Sequence, residues 1–293
     1  MKDFHSCCIL VAIMWSNYHT HSTYCDGKST LKDIYDRAIS FQMKSIGFAS
    51  HGPLPFECDW CMRKDRFSDY RAEIEALKLK NEIEVYAGLE VDYIPGQVGP
   101  ADFKDQLDFT VGSVHFVDAF DGKHWEADNT LPQFEEGLLR VFDNDVKKAV
   151  QRYFELIREM LVRSTPTILG HMDRIKVHNM HKNFFDEQSD WYLKEVSDTL
   201  ELAQQKDVIV EVNTRGLQRK RSREPFPGDF ALKRIAELKI PVHLASDAHH
   251  ADDLIALFPD VAEQMIQAGI TSVVQLHDAK WEAVELTAFP FRS

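Results

Sequence analysis

The sequence contains few cysteines, and their number argues against a disulfide-stabilised protein. Only five occur in 293 residues. An odd, low count in a chain of this length is typical of a reducing compartment, so we expect a cytoplasmic location. Cys58 and Cys61 form a CxxC pair, but no second pair accompanies it to complete a zinc site of that type. We interpret them as two thiols in a loop.

Positive charge and long apolar segments are also scarce. Lys and Arg number 34 against 47 Asp and Glu, which gives a net charge of −13. Nucleic acids and anionic membranes attract basic surfaces, so we expect neither as a partner. The apolar segment at 7–15 is far shorter than the ~20 residues that a membrane span needs. It also lacks the basic start and the cleavage site of a signal peptide.

Short apolar segments alternate with amphipathic helices along the chain. They predict seven strands, at 11–18, 45–50, 84–90, 109–115, 167–171, 208–213 and 242–247. Their nearly continuous Ile, Val and Phe content indicates strands that are buried on both faces. Helices are expected at 65–80, 145–163, 189–205, 229–238 and 252–268, and another is expected to follow Thr30 as its N-cap.

This alternation has no linker or internal repeat, so it favours a single α/β domain, a TIM-like barrel with seven βα units. We expect residues 1–13 to be an N-terminal extension or the start of the first strand. Residues 14–293 would form the barrel domain.

Histidines and carboxylates concentrate at the predicted strand ends. The residues found there are His19, His21, His51, Glu90, His115, His171, Asp247 and His249. Barrel enzymes carry their chemistry at the C-terminal ends of the strands. Imidazole suits Zn, Mn and Fe, and a carboxylate can bridge two ions. The pattern therefore predicts a metal site at the barrel mouth.

Two pairs of these residues have a spacing that suits a shared ion. Residues i and i+2 of an extended strand point to the same side. His19 and His21 can therefore hold one ion together, and Asp247 and His249 can face the same cavity. His243 lies inside the last predicted strand, and we interpret it as a packed residue.

The sixth strand end offers no ligand of this kind. It carries Asn213 and Arg215, with Arg219 close behind, and Arg174 follows the fifth strand. A guanidinium can make two parallel hydrogen bonds to a phosphate. Arg174, Arg215 and Arg219 are therefore candidate phosphate ligands, although each could instead be a solvated surface arginine.

These segments resemble the PHP family and, within it, the histidinol-phosphatase branch. The matching segments include His19-Thr20-His21-Ser22, Gly88-Leu89-Glu90-Val91-Asp92 and Ser246-Asp247-Ala248-His249, and they follow the family's order over about residues 16–268. The resemblance implies a distorted (β/α)7 barrel that holds three divalent metal ions. The ligand types are compatible with Zn, Mn or Fe.

The resemblance also implies how the ligands divide among the ions. The first ion would be held by His19, His21, Glu90 and Asp247, and the second by Glu90, His115 and His171. The third would be held by Asp26, His51 and His249. Many relatives have histidine where this chain has Asp26, and an alternative interpretation of Asp26 is a turn residue before Gly27.

The activity implied is that of a metal-dependent phosphomonoesterase. It would hydrolyse L-histidinol phosphate to L-histidinol and phosphate in histidine biosynthesis, by attack of a metal-bridging hydroxide. Asp247, or a water beside it, would protonate the leaving oxygen. Loops such as 56–66 and 178–186 would determine specificity.

Alternatives stay open at this point. They are a PHP-type phosphoesterase for another small phosphorylated metabolite, an exonuclease-like phosphodiesterase, an amidohydrolase and a non-catalytic metal-binding barrel. The acidic net charge weighs against the nuclease. The sequence gives no indication of the oligomeric state.

Overall fold

The computed structural model describes residues 14–180 and 183–288. Seven parallel strands form one sheet, in the spatial order β1 (Ser16–Asn17), β2 (Ser45–Phe48), β3 (Glu84–Asp92), β4 (Phe109–Ser113), β7 (Ile168–Leu169), β8 (Ile209–Asn213) and β9 (Val242–Ala245). Between β4 and β7 in sequence, β5 (Phe116–Phe120) and β6 (Lys123–Glu126) form an antiparallel hairpin outside this sheet. All seven predicted strands are confirmed, although residues 1–13, including the start of the first one, lie outside the described residues.

The first and last strands approach each other at the C-terminal end of the sheet. Thr20 and Ala248 form a parallel bridge. The His21 N–H donates to the Ala248 carbonyl at 2.8 Å, and the Ala248 N–H donates to the His19 carbonyl at 3.2 Å. The sheet is therefore a nearly closed barrel, as the alternation of strands and helices predicted.

Helices connect the strands of the barrel. They are α1 (Leu31–Ser40), α2 (Phe67–Lys78), α3 (Leu131–Phe142), α4 (Val146–Arg163), α5 (Asp190–Gln205), α6 (Arg215–Gln218), α7 (Asp229–Leu238) and α8 (Phe258–Gln267). Thr30 caps α1 as predicted, in a reciprocal capping box with Asp33. In the ranges that the structure describes, no helix combines the length and the hydropathy required to cross a membrane.

Besides the short α6, which was not predicted, two helices differ from the prediction. The helix expected from residue 252 begins only at Phe258, because Ala251–Asp253 forms a 3-10 turn and Pro259 suits the first turn of a helix. Helix α3 was not predicted from the sequence. Its apolar stripe packs Phe134 and Leu138 into the main hydrophobic core, so it is a layer element and not a loop.

A C-terminal hairpin, β10 (Ser272–His277) and β11 (Lys280–Glu285), closes the opposite end of the barrel. The Leu276 N–H donates to the Tyr18 hydroxyl at 2.7 Å. Above it, Tyr18, Phe109 and Ile168 belong to one buried apolar cluster inside the barrel. The predicted packing of His243 is confirmed, since its Nε2 accepts the Tyr18 N–H at 3.1 Å. Apolar side chains fill this end of the barrel, so the polar residues that follow the strands meet at the opposite, C-terminal end.

Candidate metal centre and active site

The nine predicted metal ligands all lie at the C-terminal end of the barrel. Eight stand at or directly after a strand, and Asp26 stands in the loop between β1 and α1. Seven are buried, while Asp26 and His249 are half-buried at the edge of the site. The register of the parallel strands thus brings together residues that are more than 200 positions apart in the sequence.

Glu90 lies at the centre of the site. Five imidazole nitrogens face its two carboxylate oxygens: His19 Nε2 at 3.1 Å, His21 Nε2 at 3.4 Å, His51 Nδ1 at 2.9 Å, His115 Nε2 at 3.6 Å and His171 Nε2 at 2.9 Å. Burial favours the neutral acid, but His19, His51 and His115 outweigh it and hold the pKa of Glu90 well below its usual range. A carboxylate between imidazoles on opposite sides has the placement of a bridging ligand.

Asp247 forms a second acidic point beside the same histidines. Its Oδ1 lies 3.1 Å from His21 Nε2 and 3.9 Å from His19 Nε2. The backbone of Asp247 has a φ of 50°, a left-handed conformation that aspartate tolerates better than most residues. This turn after β9 aims the Asp247 carboxylate into the barrel mouth.

Asp26 faces a third cluster. Its Oδ2 lies 3.2 Å from His249 Nε2, and its Oδ1 lies 3.8 Å from His51 Nε2. The loop folds back so tightly that a Cβ at Gly27 would lie 2.5 Å from the backbone of His21. Burial opposes the ionised form, but His249 and His51 lower the pKa of Asp26. Asp26 therefore faces the site as well as preceding a turn, which was the alternative interpretation.

The donor set fits divalent metal ions. Four buried atoms, His19 Nε2, His21 Nε2, His51 Nδ1 and Glu90 Oε2, converge without a hydrogen-bond partner among residues 14–180 and 183–288. Burying unpartnered polar atoms is costly, so such a cluster suits a bound cation. Imidazole nitrogens and carboxylate oxygens are the ligands that zinc and similar ions take.

Two carboxylates that the sequence analysis missed orient these imidazoles from behind. Glu211 Oε1 lies 2.5 Å from His19 Nδ1, and Asp92 Oδ1 lies 3.0 Å from His115 Nδ1. Carboxylates on the far nitrogen of a metal-binding histidine fix its tautomer and direct the near nitrogen to the ion. Burial lowers the pKa of His115, but Asp92 and Glu90 outweigh it and raise that pKa to about 10. The detectable signal for Glu211 is a charged residue inside the buried strand β8.

The three predicted arginines line one cavity of about 460 Å³ over this centre. Arg174 pairs with Asp128 and places its Nη1 3.1 Å from Asp247 Oδ2. The Arg215 Nη1 donates to the Asp247 carbonyl at 2.8 Å. Arg219 is exposed at the rim.

A fourth arginine of the cavity, Arg221, was not among the predicted phosphate ligands. Its Nη2 donates to the Asp128 carbonyl at 3.0 Å. The signal in the sequence was the basic run that begins at Arg219. Two residues of this run, Arg219 and Arg221, line the cavity. Burial and the neighbouring Arg174 lower the pKa of Arg221, so this end of the cavity is crowded with positive charge.

The opposite wall comes from the predicted specificity loop 56–66 and from the β5–β6 hairpin. Trp60 packs 4.5 Å from the His51 ring and stacks on Phe116 at 5.5 Å between ring centroids. Cys58 and Cys61, which flank it, carry free thiols, as predicted. The other predicted specificity loop, 178–186, contributes no described residue to the cavity lining, which instead includes the preceding Val177.

Comparison with known proteins places this site in context. The PHP domain family model matches residues 17–215. A curated relative from Deinococcus radiodurans is 26% identical over 278 residues, covering 88% of this chain and 95% of that protein. The histidinol-phosphatase of Bacillus subtilis is 26% identical over 262 residues, covering 80% of this chain and 94% of that protein. The histidinol phosphate phosphatase of Lactococcus lactis, solved with zinc, L-histidinol and phosphate, has a TM-score of 0.71 at 18% identity and covers 92% of this chain and 99% of that one.

Proposed function

The chain belongs to the PHP domain family, and on that premise we propose that it is a metal-dependent phosphomonoesterase that hydrolyses L-histidinol phosphate to L-histidinol and phosphate. The observation that carries this proposal is the position of Glu90 among five imidazoles directly beneath an arginine-lined cavity. The B. subtilis relative is named for the same activity, and the L. lactis structure binds both products.

We assign the nine converging residues to three divalent ions. His19, His21, Glu90 and Asp247 would hold the first, and Glu90, His115 and His171 the second. Asp26, His51 and His249 would hold the third. The first two sets share Glu90, as a bridging ligand requires. Bound ions of this type polarise phosphate oxygens and lower the pKa of a coordinated water to near neutrality.

The arginines supply the remaining contacts to phosphate. Arg174 is held between Asp128 and Asp247, so its guanidinium is fixed before a substrate arrives. Arg215 is fixed by the Asp247 carbonyl, and Arg219 lies at the rim. A fork of fixed donors stabilises the added charge of the transition state without reorganisation.

Asp247 would assist departure of the alcohol. His19, Arg215 and His21 outweigh burial and hold its pKa well below the usual range, so the carboxylate is ionised. An ionised carboxylate cannot itself donate a proton. We therefore assign Asp247 to holding the water that protonates the leaving oxygen.

The test is a steady-state screen of phosphate esters with protein stripped by a chelator and reloaded with zinc, manganese or iron. Histidinol phosphate should give the highest kcat/KM, and the stripped protein should be inactive. A matched control is Glu84→Gln, which removes a half-buried carboxylate at the other end of the barrel and should leave kcat/KM unchanged. A different leading ester would reassign the substrate. Absence of hydrolysis of every ester, both before stripping and after loading with each of the three metals, would favour the non-catalytic barrel.

A further inference from the structure

One carboxylate in the cavity has no role in the scheme above. Glu126, the last residue of β6, lines the same cavity as Arg174 and His115. The Asn129 amide donates a hydrogen bond from Nδ2 to Glu126 Oε2 at 2.9 Å. No Lys, Arg or His nitrogen of residues 14–180 and 183–288 lies within 4.0 Å of its carboxylate oxygens.

Its neighbour Asp128, unlike Glu126, is paired with a basic side chain. Asp128 also lines the cavity, but Arg174 pairs with its carboxylate. Burial raises the pKa of Asp128, and Arg174 overcomes this and lowers it. For Glu126, burial and the nearby charge of Asp128 both raise the pKa. Among the described residues no basic side chain pairs with Glu126, so its carboxylate is left to bind a cationic group in a site otherwise built to attract a phosphate.

The hairpin fixes Glu126 relative to the metal centre. Glu126 pairs in register with Phe116, the residue after His115. The following Ala127 N–H donates to the His115 carbonyl at 2.8 Å. The Glu126 carboxylate is thus carried by a segment bonded directly to a proposed ligand strand, and its position does not depend on a free loop.

An aromatic surface lies beside this carboxylate. Trp60 and Phe116 stack nearly parallel, with an interplanar angle of 8°. Phe56, from the loop 56–66, stacks on His124 of the hairpin at 3.8 Å between centroids. Among these four rings, Trp60 is the one that lines the same cavity as Glu126. Flat apolar faces next to a carboxylate suit a group that is both planar and cationic, or a planar ring that carries an amine.

We propose that Glu126 is a specificity-determining residue that binds the protonated amine of the leaving alcohol, while Trp60 packs against the imidazole ring of that alcohol. The inference rests on the proposed function, because L-histidinol phosphate carries an amine and an imidazole on the alcohol side of the ester. The arginine end of the cavity would take the phosphate, and the Glu126 end would take the ammonium. The cavity is therefore selective for a zwitterionic substrate over a simple phosphate ester.

The test compares Glu126→Gln with the parent on two esters, L-histidinol phosphate and its amine-free analogue 3-(imidazol-4-yl)propyl phosphate, and on p-nitrophenyl phosphate. Loss of one charged hydrogen bond should lower kcat/KM for L-histidinol phosphate by about 10- to 100-fold. The two amine-free esters should change by less than about 3-fold, and metal content should stay the same. Asp118→Asn, the same charge change on the exposed face of the same hairpin, is the matched control and should match the parent on all three.

The outcomes separate the two proposals. An equal loss on all three esters would show a structural role for Glu126, and no loss on any would show that the amine binds elsewhere; either overturns the inference while the parent's activity stands. A parent that prefers another amine-bearing ester, such as phosphoethanolamine, with the same dependence on Glu126 would overturn the histidinol assignment alone. A parent that hydrolyses none of the esters overturns both. If Glu126→Gln does not fold, Glu126→Ala and inhibition of the parent by L-histidinol against 3-(imidazol-4-yl)propanol give the same comparison.

Discussion

Replacing Glu211 with Gln measures how much a carboxylate outside the proposed ligand set contributes to metal binding through His19. Glu211 is fully buried, its Oε1 lies 2.5 Å from His19 Nδ1, and its Oε2 accepts the backbone N–H of His171 at 2.8 Å. Gln preserves the size and can keep one hydrogen bond, but it removes the charge. A hydrogen bond to a charged group contributes about 1.5–3 kcal/mol and a neutral one about 0.5–1.5 kcal/mol. The difference, about 1–2 kcal/mol, should appear as weaker metal binding.

We expect Glu211→Gln to lower metal affinity by about 10-fold, within the range known for partners of metal-binding histidines. The assay is competition for the metal against a chelator of known affinity, followed by kcat/KM at saturating metal, which should recover most of the loss. Glu195→Gln makes the same change to a buried carboxylate of α5 that pairs with Arg158, away from the site, and should leave metal affinity unchanged. Unchanged affinity in Glu211→Gln, or a loss that excess metal cannot recover, would refute the orienting role.

Three further predictions concern the centre and its support. Glu90→Gln should lose bound metal and lower kcat by roughly 1,000-fold, because it removes the proposed bridge; full metal content by elemental analysis with near-normal kcat would contradict the shared site. Arg215→Ala and Arg219→Ala should each lower kcat/KM and weaken inhibition by phosphate at unchanged metal content, and Arg215→Ala should cost about 2–3 kcal/mol since its guanidinium is already fixed. Burial lowers the pKa of His243 to about 4, so between about pH 6.5 and 4 only the unfolded chain takes up this proton, and the free energy of unfolding falls with pH. In denaturant unfolding over this window, the free energy of unfolding of His243→Gln should fall by up to about 3 kcal/mol less than that of the parent.

The strand pattern and most of the candidate ligands were predictable from the sequence for a physical reason. A strand buried on both faces needs a continuous apolar segment, and a ligand must follow it to reach the mouth. His115 and His171 each stand directly after such a segment. Asp26 has no such position, and only its resemblance to a family motif indicated it.

Other parts of the site could not be predicted because they depend on contacts between distant segments. Glu211 lies within an apolar strand, and only the barrel register places it behind His19, which is 192 residues earlier. Glu126 and Trp60 stand in a hairpin and a loop whose sequences carry no period. Arg219 was a candidate phosphate ligand and Arg221 was not, because only the turn after β8 shows that both members of this basic run reach the cavity.

The bridge between Thr20 and Ala248 means that the residues closing the barrel lie within the candidate metal centre. The two segments that close the cylinder there carry His19 and His21 on one side and Asp247 and His249 on the other. Bound ions would therefore stabilise the same pairing as these backbone hydrogen bonds. Removing the ions would destabilise this part of the barrel before the rest. Metal binding would then raise the free energy of unfolding, mainly through the closure between the first and last strands. Amide exchange at His21 and Ala248 should slow on metal addition far more than at Leu276, at the opposite end of the barrel, and equal protection at all three would show that the barrel closes without ions.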